Sequence, residues 1–414
     1  MNGLQKGAAN DGIFRIAPKP IPLKGVAAMA YESDPTLLAE VRKYGKFDVS
    51  GCYNCGSCTL SCDLATDFAS FPRRSTRHVI TGLRELLHQG LEPWICHDCG
   101  DCSLVCPRQT QPRDAMVTLR RYLASVYDWT GIASLINRSR VWHIGMLSLV
   151  AILVLLLTLL YHLRVVNMPL SDFASSSLGL EHMFPTMTYF TIVVILFPLA
   201  ILLTNAFRMY LMTVHRKEII KTPLSQWITE MKTFLFHFFT YRKMAECPKD
   251  KGRWPKHLLL GIGCLGMLAL LVFALKWFQT DKIYPLSHPQ RWLGYLAAAF
   301  LLFGSGDILL GRLRKKMEVH KTSDFEDWVF PVLLFATALS GMVVHVFRYL
   351  GMEMATHYAY AIHLMISVPM LMVEMAFGKW THMIYRPLAL YFQSLKERTV
   401  YERSSEGIPG YVSG

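Results

Sequence analysis

The sequence predicts an all-α chain: a small cysteine-rich helical head followed by a bundle of six membrane-crossing helices. Three observations predict it. Eight of the ten cysteines fall in two tight runs between residues 52 and 106. Between and just behind those runs the apolar spacing is helical, over Val79–Leu87 and, after a proline, over Asp114–Tyr127. Beyond Asp128 six apolar stretches follow, each near the ~20 residues needed to cross a hydrocarbon core of ~30 Å.

Residues 1–36 are rich in Gly, Pro and Ala with little periodicity and read as an irregular arm. The head takes 37–128 and holds an internal near-repeat, GCYNCGSCTLSC from Gly51 and CHDCGDCSLVC from Cys96. The transmembrane part takes 129–386, with spans at about Trp142–Leu163, Thr186–Met212, His257–Phe278, Trp292–Gly311, Asp327–Phe347 and Thr356–Gly378; 387–414 reads as a tail. An even number of spans puts the tail on the same side as the head. The loops Thr213–Lys256 and Arg312–Glu326 carry many Lys and Arg, whereas Arg164–Pro185, Gln279–Arg291 and Arg348–Ala355 carry few. By the positive-inside rule, head and tail are then cytoplasmic, in a multi-pass protein of the inner membrane. Met1–Lys24 lacks the apolar core of a signal peptide, in line with that side.

A 52% hydrophobic content fits a chain with a large membrane part. The net charge of +13 sits in short basic runs beside apolar segments, such as His215–Lys217 and Arg312–Lys316, so it orients helices in a bilayer and argues against a nucleic-acid partner.

Cys52-x2-Cys55-x2-Cys58-x3-Cys62 and Cys96-x2-Cys99-x2-Cys102-x3-Cys106-Pro107 are ferredoxin-type cluster runs. Three cysteines two apart wrap one face of a cubane, and the fourth is carried elsewhere. In two-cluster ferredoxins that fourth thiolate serves the other cluster, so one 4Fe-4S cluster is expected on Cys52, Cys55, Cys58 and Cys106 and a second on Cys96, Cys99, Cys102 and Cys62. Zinc is the bland alternative, but it is usually served by separated CxxC pairs. Disulfides are disfavoured by the spacing and by a reducing cytoplasm. Asp63 stands where a Pro commonly follows the fourth cysteine. Gly56 and Gly100 follow the second cysteine of each run, where a backbone without Cβ can approach inorganic sulfur.

Ionisable side chains within spans are costly and mark functional candidates. Haem b in a helical bundle takes neutral imidazoles from facing helices, one pair per haem. The candidates are His143, His257 and His382 toward the cytoplasm, and His162, His345 and His363 toward the outside, an arrangement expected for two stacked haems. His363 and His382 read as one continuing helix, ~28 Å apart at 1.5 Å per residue, and so belong to different haems. Each histidine alone also reads as an interfacial residue at a helix end. Arg164, Lys276 and Arg348 outside, with Arg208, Arg312 and Arg386 inside, are placed for haem propionates or for ordinary snorkelling. Glu374 and Asp307 are candidates for quinone-linked proton transfer or for pairing with a neighbouring helix.

Two stretches resemble known families. CYNCGSC, FPRRSTRHVITGLRELL and PWICHDCGDCSLVCPRQTQPRDAMVTLRRYL resemble the small iron–sulfur subunit of heterodisulfide reductases over about Gly51–Tyr122. ALSGMVVHVFRYLG and IHLMISVPMLMVEMAFGKWTHMIYRP resemble the haem b subunits of the nitrate reductase gamma and heterodisulfide reductase membrane type. That resemblance makes His363 and His382 the last-helix ligands and His257 the first ligand of an earlier helix. The family's further ligand on that helix falls near Met267, so the partner of His363 stays open between His345 and His162.

Joined in this order, the two parts resemble the family of membrane subunits of the quinone-interacting membrane-bound oxidoreductase (Qmo) complexes of sulfate reducers. The resemblance implies a ferredoxin-type two-cluster head on a six-helix haem b bundle, a subunit that is no complete enzyme alone. Menaquinol would be oxidised, and electrons would pass through haem b and two 4Fe-4S clusters to flavin- and iron–sulfur-containing soluble subunits that feed adenylylsulfate reductase. The alternatives are a heterodisulfide-reductase-like thiol/disulfide module and a non-haem anchor. No flavin fingerprint is evident in the sequence.

Overall fold

The computed structural model describes residues 31–66, 69–161, 163, 180–214, 223–246, 252–280, 282–315 and 317–405. His162, Arg164 and Cys247, and the expected arm up to residue 30, lie outside them. The described residues are helical with no strand, and those from Ser33 onward belong to one compact unit.

Short helices build the head because Gly, Pro and the cysteine loops interrupt every run: α1 (Leu37–Val41), α2 (Ser57–Leu60), α3 (Arg73–Ile80), α4 (Arg84–Gln89), α5 (Glu92–Ile95), α6 (Asp101–Leu104) and α7 (Pro112–Tyr127). The longest, α7, opens on a Pro, whose missing N–H has no partner to lose in a first turn, and it buries Leu119, Tyr122, Leu123 and Tyr127 completely. Residues just before α1, assigned by sequence to the arm, pack onto the head. Asp34 donates its N–H to the Gly82 carbonyl at 2.9 Å and its carboxylate meets Arg84 at 2.6 Å. Gly82 has φ +72°, and a Cβ there would stand 2.5 Å from the Asp34 carbonyl oxygen, so only glycine admits this approach.

After α8 (Ile132–Arg138) come α9 (Arg140–Tyr161), α10 (Leu180–Val214), α11 (Leu224–Thr240), α12 (Arg253–Phe273), α13 (Leu275–Phe278), α14 (Pro289–Arg314), α15 (Glu318–Lys321), α16 (Phe325–Tyr349), α17 (Glu353–Pro369) and α18 (His382–Ser405). Among the described residues six helices are long and apolar enough to cross a membrane: α9, α10, α12, α14, α16, and α17 with its extension to Glu374. The chain is a multi-pass membrane protein. Leu149, Val193, Phe273 and Trp292 point outward and exposed, as lipid-facing side chains do.

Two expectations need correction. His363 and His382 do not share a continuing helix. Pro369 removes a backbone donor, the next turn widens to a π-helix over Met370–Glu374, and Gly378 and a 3-10 turn at Lys379–Thr381 precede α18. The axial ~28 Å between them therefore does not apply. Secondly, the helical spacing over Val79–Leu87 is interrupted: α3 ends at Ile80 and α4 begins at Arg84, on either side of Gly82. Farther on, α11 and α18 pack together, with the Tyr391 hydroxyl donating to the Trp227 carbonyl at 3.0 Å and Arg398 meeting Glu230 at 2.5 Å. Trp227 and Phe234 on α11 pack against Tyr391 of α18, and Trp227 also meets Tyr210 of α10.

Head and bundle meet through charge. Arg121 of α7 reaches Asp324 at 3.0 Å and Asp327 at 3.3 Å, two carboxylates that also form the capping box of α16. Lys379 joins Asp327 from the other side at 2.6 Å.

Candidate functional site

Both cysteine runs fold into the same loop. Asn54 and Asp98 take φ of 54° and 58°, and Gly56 and Gly100 take 89° and 95°, which turns the chain sharply between successive cysteines. The N–H of Asn54 donates to Cys52 Sγ, and that of Asp98 to Cys96 Sγ, each at 3.4 Å. The fourth cysteine of each run leaves its own loop. Cys52, Cys55, Cys58 and Cys106 line one small cavity, and Cys62, Cys96, Cys99 and Cys102 line another.

The surroundings differ. Cys55 is exposed, whereas Cys96 and Cys102 are buried. Burial pushes the Cys62 thiol up to about 11 and that of Cys102 further still, while the hydroxyl of Ser57 lowers Cys55. Ligation demands thiolates, so a cation binding in the inner cavity releases protons from these groups. Among the described residues no group of three or more His, Cys, Asp or Glu gathers as one metal ion requires. The four cysteines of each set border one small space, and four thiolates are the ligand number of one cubane cluster.

The comparisons with known proteins converge on this region. Residues 48–110 match the 4Fe-4S dicluster domain family. The head is a ferredoxin-type iron–sulfur domain. Over 88 residues the chain is 32% identical to a protein of Archaeoglobus profundus that is itself named for its likeness to the C subunit of heterodisulfide reductase, a match covering 21% of this chain and 47% of that protein. The chain thus spans about half the length of the curated relative it matches. No solved structure matches the chain.

In the membrane part His257 and His382 face one another, with ring centres 6.3 Å apart and planes at 75°. Metal–imidazole bonds of about 2 Å on either side of one iron separate ring centres by roughly 6 Å, so the pair has the spacing of an axial couple. His382 Nδ1 hydrogen-bonds to the Lys379 carbonyl, and His257 Nδ1 is buried without a partner. His143 pairs with a carboxylate: its Nε2 lies 2.6 Å from Glu374, both side chains buried. His345 is held by Tyr295 at 2.6 Å and by Arg291 at 2.8 Å, and His363 Nδ1 bonds the Ser340 hydroxyl at 2.9 Å. Both line a cavity of about 320 Å³ inside the bundle, which also reaches Arg348, Met267 and Trp380.

The other candidates have ordinary partners. Asp307 meets Lys256 at 2.7 Å on an exposed face. Arg208 donates to the Tyr127 carbonyl at 2.8 Å, Arg312 to the Ser323 hydroxyl at 2.5 Å, and Arg348 to the carbonyls of Thr280 and Lys282. Lys276 is exposed on α13.

Arg386 contacts the head. It donates to His97 Nε2 at 2.9 Å and to the Ile95 carbonyl at 3.4 Å, while Arg253 donates to the Asp98 carbonyl at 3.3 Å. Each arginine lies four residues from one of the facing histidines, hence on the same helix face: Arg253 before His257, Arg386 after His382. Both seize the loop that opens the inner cysteine set. His97 itself is 4% exposed, and burial together with Arg386 and Arg253 holds it well below the usual imidazole range, so it accepts as a neutral ring. Sequence reading missed Arg253 and His97; the only signal was the i, i+4 spacing of an arginine from each histidine.

Proposed function

We propose that this chain is a membrane electron-transfer subunit that oxidises menaquinol and delivers electrons through haem b and two 4Fe-4S clusters to flavin- and iron–sulfur-containing soluble subunits. In this reading 37–128 is the two-cluster head and 129–386 the haem b domain, with head and C-terminus cytoplasmic. Cys52, Cys55, Cys58 and Cys106 hold the outer cluster, and Cys62, Cys96, Cys99 and Cys102 the inner one. His257 and His382 hold one haem b; His363 is a ligand candidate for a second. When bound, these groups each take up and pass on one electron at a time.

The observation that carries the reading is the junction: the facing histidines each have an arginine one turn away, and both arginines grip the Ile95–Asp98 stretch beside the buried cysteine set. A passive anchor has no need of a paired contact there. The chain's own work is then positional. Arg253 and Arg386 fix the loop, neutral His97 fills the gap, and Arg113 meets Asp98 at 2.5 Å to close its far side. The heterodisulfide-reductase likeness of the head and the membrane resemblance together favour a Qmo-type complex serving adenylylsulfate reductase.

An optical spectrum of the purified full chain, oxidised against reduced with a menaquinol analogue, alongside iron and acid-labile sulfide analysis, tests it. Haem b bands with iron in excess of sulfide are expected. Equal iron and sulfide without haem bands would reduce the chain to an iron–sulfur head on an inert anchor.

A further inference from the structure

We infer that α11 lies in the plane of the membrane surface on the head side, with its open apolar stripe sunk among the acyl chains of that leaflet. The partner is the lipid surface itself, and the inference does not depend on the redox reading.

The stripe is set by spacing. Leu224, Ile228, Met231, Leu235 and Phe239 follow one another at steps of three or four residues, which a helix places along one side. All of them are exposed, from 43% at Met231 to 74% at Leu224. The opposite side is turned to the protein: Trp227 and Phe234 pack against Tyr391 of α18, and buried Glu230 meets Arg398. A continuous row of large exposed apolar side chains marks a binding face.

Its position names what it binds. Arg208 of α10 and Arg253 of α12 both donate to head carbonyls, so the end of α10 and the start of α12 lie on the head side of the bilayer. Both ends of α11 are tied to that level. Near its start, Trp227 meets Tyr210 of α10 with ring centres 5.9 Å apart. At its end, the Thr240 carbonyl accepts from the Trp254 indole at 2.8 Å, and the Tyr241 ring stands 5.0 Å from that of His257. Tyr241 also lies over Gly261, where a Cβ would come within 2.6 Å of the ring. A helix held at one level by both ends runs along the membrane and does not cross it. The lipid-facing surface of the spans continues on either flank, through Phe207, which stacks on Tyr210, and through Ile262, next to Gly261; both are exposed.

Charge agrees with an anionic leaflet. The acid of α11, Glu230, is turned inward, while Lys232 is exposed beside the stripe, its stem able to lie on lipid and its ammonium to reach a phosphate headgroup. The loop Thr213–Lys256 that carries α11 is basic in sequence, as attraction to anionic lipid requires. The seat has a consequence for the head. Helix α18 rests on α11 through Tyr391 and carries Arg386 to His97, so lipid beneath α11 steadies the helix that grips the inner cysteine loop.

The full-length chain is made with the photoreactive residue p-benzoylphenylalanine at Leu235 or at Ile228, both exposed and so tolerant of the larger ring. It is illuminated in cell membranes and in vesicles of phosphatidylethanolamine and phosphatidylglycerol, and the products are identified by mass spectrometry. Each variant is expected to gain the mass of one phospholipid in both settings. At Phe234, on the face turned to α18, the same residue should link to α18 and take up no lipid. Linkage of Leu235 and Ile228 to a second copy of the chain or to another protein, in place of lipid, overturns the inference. So does a chain left unmodified at both positions, which would place the stripe in water, and so does lipid uptake at Phe234 equal to that at Leu235.

Discussion

The loops at Cys52–Cys58 and Cys96–Cys102 share one backbone, yet they live in different surroundings. The first carries Tyr53 and Cys55 exposed and is bordered by Arg73 and Arg108 at the surface. The second is gripped from the membrane side by Arg253 and Arg386 and from the head by Arg113 and Arg120, which donates to the Pro93 carbonyl at 2.6 Å. Local sequence sets the turn, through positive φ at Asn54 and Asp98 and glycine two residues later. Tertiary contact decides which loop is inner and which is outer. In the proposed chain the inner set receives electrons from the membrane and the outer set gives them up.

The largest effect tests the exchange of fourth cysteines. Cys62→Ala is expected to remove about half of the cluster iron and sulfide, with the spectroscopic signal of the buried set lost and that of the exposed set kept. Cys106→Ala should do the reverse. If either variant instead lost the cluster of its own run, the two cavities would be wrongly matched to the clusters and the comparison of inner and outer loops would break.

Next in size is the clamp. Arg386→Leu removes a charged donor from His97 and the Ile95 carbonyl, a contact of the class that contributes about 1.5–3 kcal/mol. Reduction of the inner cluster by quinol should slow by about tenfold or more, and its reduction potential should fall with the loss of a nearby positive charge, whereas the outer cluster keeps its potential. Potentiometric titration followed by electron paramagnetic resonance reads both. Equal shifts in the two clusters would mean that Arg386 acts on overall stability and not on the inner loop.

These contacts show where sequence reading stops. Six spans were legible because each is a long, mainly apolar run, and the cluster loops because their spacing is local. The grouping of Cys62 with the second run followed from knowledge of ferredoxin motifs. Arg386 with His97, and His143 with Glu374, join residues 289 and 231 apart, and no local pattern encodes such pairs. The helix α11 hid in a basic loop because its apolar side chains acquire cover only from distant parts of the chain, Tyr210 of α10 and Tyr391 of α18. The break between His363 and His382 was written in Pro369 and Gly378, but the apolar run through Met370–Met375 outweighed them.

A third prediction compares the head's two histidines near the loops. His97 is committed to Arg386, whereas His88 Nε2 lies 3.0 Å from the Tyr122 hydroxyl, with Arg84, Glu40 and Glu85 around it. Burial and then Arg84 lower His88 from 6.5 to about 4. The unfolded chain therefore takes up this proton between pH 6.5 and 4 while the folded head resists it. The stabilisation is complete above pH 6.5 and is lost as pH falls through 4. Between pH 7 and pH 5 the loss should be about 1–2 kcal/mol, seen as a lower unfolding midpoint. His88→Gln should flatten that part of the profile; an unchanged slope would assign it to other groups.

The smallest expected effect belongs to the exposed loop and completes the comparison. Arg108 stacks on the ring of Tyr53 at 4.7 Å, with Tyr53 69% exposed. Exposed cation–π contacts contribute about 0.5–1 kcal/mol. Tyr53→Leu should thus lower head stability by less than about 1 kcal/mol and leave iron content unchanged, because the Asn54 turn and its N–H bond to Cys52 Sγ do not involve the ring. If Tyr53→Leu released iron, the outer loop would depend on a surface contact as heavily as the inner loop depends on its arginines. The asymmetry between the two loops would then lie in exposure alone, since each would be held by side chains reaching across from another part of the fold.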